Sequence, residues 1–181
     1  MGEAQVSVGD RAPVFSATTW LGDAIDLESY LGRKVWLAFF RFASCPLANL
    51  RIHEIGKRRD LSADGVQIVA VFPSPRERIA AHVGKQNLPF PLVSDPHERL
   101  YMLYGLRASV AGLIGRDVGL RTVQAAALGF LPGPTDGTIT RLPGDFLIDE
   151  EGIVRHVHNG DDVADHIPFE RVLEFTGGGA S

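Results

Sequence analysis

The stretch VWLAFFRFASCPLANL (residues 35–50) carries the only cysteine of the chain, Cys45, with a proline directly after it. Its first half, VWLAFFRF (35–42), is a continuous apolar run rich in Val and aromatic residues, which reads as a strand buried on both faces. Beyond Pro46, residues Leu47, Leu50, Ile52, Ile55 and Leu61 recur near helical spacing until SADG (62–65) ends the pattern. The local order is therefore strand, Cys, Pro, helix. Proline fits the first helical position, where a missing N–H costs nothing. Cys45 is then aimed at a helix N-terminus, where unpaired N–H groups and the helix dipole supply positive potential. Thiol chemistry needs that help, because an ordinary cysteine has a pKa of about 8.5 and only the thiolate attacks. Arg41 can add positive charge, or strand alternation can turn it elsewhere. The competing reading is a small buried hydrophobe beside a turn, and spacing alone leaves both open. VWLAFFRF contains no Asp or Glu to accept a proton, and His53 lies about two turns down the helix, as a surface or packing residue.

Further along, VQIVAVF (66–72) reads as a second buried strand. SPRE (74–77) reads as a capping box, with Ser74 as N-cap, Pro75 at the first helical position and Glu77 facing back. The helix it opens should run to about Gln86. FPLVSD (90–95) is a short strand and PHERLYMLYGL (96–106) a short helix. DFLIDEEGIVRHVH (145–158) reads as a β-hairpin turning at EEG, and IPFERVLEF (167–175) as a closing amphipathic helix. The order β-α-β-α-β-α, an insertion, then a hairpin and a helix gives an α/β class. It fits a thioredoxin-like three-layer sandwich with a mixed central sheet and a helical insertion before the C-terminal hairpin.

That insertion, about residues 107–140, has helix-compatible spacing at Val110, Leu113, Ile114 and Val118, but is dotted with glycines and ends in the turn-rich LPGPTDG (131–137). It either packs helices over an edge of the core or forms a dimerisation or substrate-covering surface. In RLPGDFLID (141–149), Pro143 stands just before a strand, where proline is tolerated only at a start or an edge. The Leu142–Pro143 bond is a candidate cis peptide; the alternative is an ordinary trans proline at a loop end. His156, His158 and His166 gather near the C-terminus without a spacing that makes a metal site.

With 181 residues, 45% hydrophobic and 22% charged, the chain suits one globular domain over 1–176 followed by a disordered tail at 177–181. A net charge of −4 and a pI near 5.8 give no electrostatic case for nucleic acid or an anionic membrane. GKRRD (56–60) reads as a solvated helix end. One cysteine cannot form an internal disulfide, so a reducing compartment, the cytoplasm, is the expected location. MGEAQVSVGD (1–10) lacks the regions of a signal peptide, and Val6 stands where a myristoylation motif needs Ser or Thr. The most apolar window, residues 108–131, is broken by Arg116, Asp117 and Arg121, which argues against a membrane span.

VGDRAPVFSATTWLGDAIDLESYLGRKVWLAFFRFASCP (8–46) resembles the opening of the alkyl hydroperoxide reductase and thiol-specific antioxidant family, the peroxiredoxins. LPGDFLIDEEGIV (142–154) looks like their cis-proline strand and hairpin. RFASCPLANLRIHEI (41–55) and VADHIPFERVLE (163–174) are closest to the peroxiredoxin-like branch. The resemblance covers about residues 6–175 and implies that Cys45 is the redox-active cysteine, with Pro143 as the cis-proline facing it. Two departures stand out. The family's Pro-x-x-x-Thr/Ser-x-x-Cys motif is absent, with Ala38 and Phe42 at its first and fifth positions. The Cys-Pro-x-Cys of the branch ends here in Ala48, a vacated resolving position.

The resulting expectation is a thiol-dependent oxidoreductase without cofactor or metal. Cys45 attacks a hydroperoxide or a disulfide, and an external thiol (glutathione or a thioredoxin-like protein) regenerates it. Arg41, Ser44, Pro46, Arg141 and Pro143 are the expected substrate-binding residues, with backbone N–H groups at the start of the helix stabilising developing charge. The losses at Phe42 and Ala48 motivate a second reading, a non-enzymatic redox sensor or protein-binding module. A homodimer formed through the insertion is a further possibility.

Overall fold

The computed structural model describes residues 5–58, 60–61, 65–115 and 117–177. A five-stranded mixed sheet lies at the centre, in the order β5-β4-β3-β6-β7. Its strands are β3 (Val35–Phe39), β4 (Gln67–Phe72), β5 (Leu92–Ser94), β6 (Gly144–Ile148) and β7 (Val154–Asn159). β3 runs parallel to β4, and β4 to β5, while β6 is antiparallel to both β3 and β7. A separate N-terminal hairpin pairs β1 (Ser16–Thr18) with β2 (Ala24–Asp26). This hairpin is too short to stand out in the sequence pattern; its turn contains Gly22 at φ +101°, a conformation glycine adopts without strain.

The apolar run of β3 divides by alternation. Trp36, Ala38 and Phe40 join one core, built with α1 (Pro46–Lys57), Ile79 of α2 (Arg76–Ala81) and Val172 of the closing C-terminal helix at Phe169–Thr176. Val35, Leu37 and Phe39 join the other, built with the N-terminal hairpin and with Leu100 and Tyr101 of α3 (Arg99–Leu103). A strand buried on both faces shows no alternation in sequence because both sets of positions are apolar. The result is the expected three-layer α/β sandwich, with β3 at its centre delivering the chain to Cys45.

Two local expectations fail. Ser74 does not cap α2: Pro75 is the N-cap, and no side-chain hydrogen bond is made there. The Ser74 hydroxyl instead accepts the backbone N–H of Ala43 at 2.9 Å, a tertiary partner that displaces the local one. The helix it precedes also ends earlier, at Ala81, and continues only as a 3₁₀ turn over Val83–Gln86. The second failure is at Pro143. The described residues contain no cis peptide bond, so Leu142–Pro143 is trans. Trans is the intrinsically preferred form, and the flanking backbone is satisfied in it: Leu142 N–H donates to Arg107 O at 3.1 Å, and Pro143 O accepts from Gly160 N–H at 3.0 Å.

The insertion contains a 3₁₀ turn at Ala111–Leu113 and α4 (Val118–Ala127). α4 lies along α1, joined to it by a bidentate ion pair from Arg121 to Glu54 at 2.8 and 2.9 Å. Ile114, Leu120, Val123 and Leu131 remain well exposed. The chain beyond α4 returns across the C-terminal end of β3. α5 (Phe169–Thr176) closes the fold and ends on Gly177 in the left-handed region. Of the tail expected at 177–181, residues 178–181 lie outside the described residues. Among the described residues no helix is long and apolar enough to cross a membrane.

Candidate active site

Cys45 is the N-cap of α1, in extended conformation, with Pro46 at the first helical position. Its N–H donates to Phe42 O at 2.9 Å, and its carbonyl accepts from Asn49 N–H at 3.0 Å, the bond that starts the helix. The loop is fixed from two further directions. Ser74 accepts the Ala43 N–H, and the Asn49 amide donates to Ala43 O at 2.7 Å and Cys45 O at 3.0 Å. Asn49 is itself held, because Gln86 Nε2 donates to its Oδ1 at 3.1 Å. The sequence signal for Asn49 was available: it sits one turn after the cysteine, where its amide faces back to the cap.

The thiol is buried, 1% exposed, in the core formed by Trp36, Phe40, Ala48 and Leu142. Arg41 Nη1 donates to Cys45 Sγ at 3.5 Å. The other end of the same guanidinium donates to Ile139 O at 2.6 Å, and its plane lies 5.0 Å from the Phe42 ring. Phe42 thus occupies the place of the family's hydroxyl residue and supports the cation that touches the sulfur. A guanidinium in this position stabilises negative charge developing on the sulfur or on a departing oxygen. The Leu47 and Ala48 N–H groups belong to the first turn of α1, where backbone donors lack intrahelical partners.

A strap formed by residues 133–141 closes over this loop. Ser44 Oγ donates to Pro134 O. Gly133 packs so tightly on Ser44 and His82 that an added Cβ would stand 2.7 Å from Ser44 Cβ. Asp136 pairs with Arg78 at 3.4 Å. Glu98 accepts the Thr138 N–H at 2.6 Å with one oxygen and pairs with Arg141 through the other. Burial pushes the Glu98 carboxyl up, but the Arg141 and Thr138 hydrogen bonds outweigh it and leave the group below the usual glutamate value.

The expected site residues therefore separate. Arg41 meets the sulfur, and Pro46 follows Cys45 at the first helical position. Ser44 is adjacent, but its hydroxyl is spent on the strap. Arg141 makes its contacts with Glu98, with Leu106 O at 2.8 Å and with the Tyr101 ring at 5.5 Å, so it anchors the strap instead of meeting the thiol. Pro143 is buried directly before β6, and the preceding Leu142 belongs to the cysteine's core. Ala48, 3% exposed, belongs to that same core.

A second buried polar group lies on the same face of the sheet. Asp145 accepts from Trp36 Nε1 at 2.9 Å, from Ile167 N–H at 3.0 Å and from His166 Nδ1 at 3.2 Å. Burial raises the Asp145 carboxyl, but His166 and these donors outweigh it, so the net displacement is downward. Burial lowers His166 below the ordinary histidine value, against the opposing pull of the Asp145 carboxylate. His158 pairs with Asp165 at 2.9 Å.

The sequence profile of the AhpC/TSA family matches residues 8–157. A Mycobacterium tuberculosis (strain H37Rv) protein named as a peroxiredoxin is 29% identical over 102 residues, 56% of this chain and 65% of that protein. The match thus spans slightly less than two thirds of that relative's length. Escherichia coli (strain K12) peroxiredoxin Bcp is 23% identical over 162 residues, covering 89% of this chain and 90% of that one. Among solved structures, the peroxidoxin BcpB of Mycobacterium tuberculosis superimposes with a TM-score of 0.69 at 16% identity, over 96% of this chain and 98% of that one. The reduced 2-Cys peroxiredoxin of Plasmodium vivax gives a TM-score of 0.65 at 18% identity, over 94% and 80%. These structures share the fold, and the profile match over most of the chain decides the family: this protein belongs to the AhpC/TSA family.

Proposed function

We propose that the chain is a one-cysteine thiol peroxidase, with Cys45 as the nucleophile. The observation that carries the reading is the Arg41 guanidinium 3.5 Å from Cys45 Sγ at the N-terminus of α1. The thiolate attacks the terminal oxygen of a hydroperoxide, the O–O bond breaks, and the alkoxide or hydroxide leaves and takes up a proton. Cys45 becomes a sulfenic acid. An external thiol condenses with it, forming a mixed disulfide and releasing water. A second thiol then displaces Cys45 and leaves as the disulfide. The same thiolate attacking a small disulfide enters this cycle at the mixed-disulfide stage. Because the sulfur is buried beneath residues 133–141, substrate entry requires that strap to shift.

The absence of an internal partner at Ala48 makes an external thiol necessary, and a reducing cytoplasm supplies one. Exposed Ile114, Leu120 and Val123 support self-association through the insertion. Sedimentation of Val123→Glu checks this, since an unchanged association state removes it. The cycle itself is tested by peroxide consumption with glutathione or thioredoxin as reductant. Multiple turnovers lost in Cys45→Ser support a peroxidase. A single stoichiometric oxidation with no turnover by either reductant marks a sensor and overturns the enzyme.

A further inference from the structure

Of the three histidines gathered near the C-terminus, His166 lines a cleft of about 340 Å³ that Cys45 does not touch. The cleft opens between α1, the start of α4 and residues 162–166, which follow β7. The His166 side chain is 6% exposed, and its ring lies on that of Phe40 at 4.8 Å. Its Nδ1 meets Asp145 Oδ2 at 3.2 Å, the oxygen that also accepts the Ile167 N–H. A carboxylate has no hydrogen to give, so Nδ1 carries the proton of that bond. Nε2 has no partner among the described residues, and it is not one of the buried polar atoms sealed from solvent. The exposed edge of the ring therefore opens on the cleft. Burial holds the ring below the ordinary histidine value, so at pH 7.5 Nε2 offers a lone pair and not a hydrogen.

The field around this acceptor is negative. Asp117, Asp162 and Asp165 line the cleft. Gly115 leaves room for the Asp162 carboxylate, since an added Cβ would collide with its Oδ2. One Asp162 oxygen accepts the Ala164 N–H at 2.8 Å, and Asp165 is paired with His158 at 2.9 Å. The two arginines of the cleft are engaged elsewhere. Arg121 makes its bidentate pair with Glu54, while Arg51 reaches the same carboxylate at 3.6 Å and donates to Ile167 O. Glu54 thus cancels one of two positive charges. One remains, against three cleft carboxylates and Asp145 behind His166. A lone pair without a donor, set in a negative field, calls for a ligand that brings both an N–H and positive charge. The cleft lies within the size range of small-molecule sites.

We infer that this cleft binds a small protonated aliphatic amine, whose ammonium donates to His166 Nε2 and is neutralised by Asp162. Its carbon chain lies against Leu120 and Ala164, the apolar part of the wall. Asp145 acts from behind, by fixing the tautomer that leaves Nε2 as the acceptor. The carboxylates that favour an ammonium repel an anion. A metal ion is disfavoured as well, because among the described residues no three His, Cys, Asp or Glu side chains are grouped to ligate one.

The test needs neither peroxide nor Cys45, so it stands apart from the catalytic reading. Protein labelled with ¹⁵N-histidine is titrated with 1,4-diaminobutane at low salt and pH 7.5, with neutral 1,4-butanediol as the control. The diamine should bind saturably and the diol should not. The His166 Nε2 resonance should move, while those of His82 and His97, outside the cleft, stay in place. Asp162→Asn keeps an oxygen for the Ala164 N–H and should weaken binding about fivefold. Glu28→Gln removes the same charge from an exposed position outside the cleft and should leave binding unchanged. Absence of saturable binding, equal binding of the diol, an unmoved His166 Nε2, or equal weakening in the two variants overturns the inference. Should Asp162→Asn fail to fold, the His166 resonance of the wild type decides alone.

Discussion

The Arg41 guanidinium donates to Cys45 Sγ at 3.5 Å with one nitrogen and to Ile139 O at 2.6 Å with the other. One side chain therefore both supports charge at the sulfur and ties down the strap above it. Removing the guanidinium should lower the second-order rate of Cys45 with hydrogen peroxide by about 100-fold, the scale of losing one preorganised donor. Arg41→Lys keeps the charge but cannot bridge both partners, so its rate should fall between those of wild type and Arg41→Ala. Single-turnover stopped-flow oxidation checks both variants.

The strap is tied to the body of the fold through Glu98 and Arg78, so weakening these ties should expose the thiol. In Glu98→Gln the Thr138 N–H keeps an acceptor but Arg141 loses its charge partner. Arg78→Ala frees Asp136. Both variants should be alkylated by iodoacetamide at pH 7 several-fold faster than wild type. Equal rates would mean that residues 133–141 do not control access.

The Asp145 group should make the fold sensitive to acid. His166 is held below its ordinary value, chiefly by burial, so the unfolded chain takes up its proton first as the pH falls. Its contribution to stability is complete above about pH 6.5 and is lost toward the lower folded value. Asp145 is also displaced downward, so its contribution persists to lower pH and is lost below about pH 4. Urea unfolding should therefore show stability falling from pH 7 to pH 5, with a shallower fall in His166→Gln. Asp145→Ala strands the Trp36, His166 and Ile167 donors and should cost about 3 kcal/mol at pH 7.

Position 48 offers a gain-of-function test. Ala48 lies in the same buried core as Cys45, one helical turn away. In Ala48→Cys, one equivalent of peroxide should yield an intramolecular disulfide in place of a persistent sulfenic acid. Thioredoxin should then reduce the variant faster than it reduces oxidised wild type. Peptide mapping of the oxidised variant checks the first outcome, and NADPH-coupled turnover the second.

The central strand and the cysteine at a helix N-terminus were legible in sequence because each depends on residue type and short-range spacing, whereas alternation left the direction of Arg41 open. Three features were not legible. The Ser74 hydroxyl fits a helix cap as well as a tertiary acceptor, and only the fold brings Ala43 N–H within reach. Arg141 reads as a free cation until Glu98, distant in sequence, neutralises it. The strap acts through the carbonyls of Pro134 and Ile139, groups that every residue carries, so no motif can reveal them. The cis-proline expected at Pro143 came from its place before a strand and from the family's pattern, whereas the local hydrogen bonds are satisfied in trans.

The central claim is that Cys45 is a peroxide-reactive thiol regenerated from outside the chain. Intact-mass spectrometry after one equivalent of peroxide, with and without glutathione, tests it most directly. The account predicts a gain of one oxygen without glutathione and a single glutathione adduct at limiting glutathione, both absent in Cys45→Ser. A protein whose mass is unchanged under both conditions would contradict it.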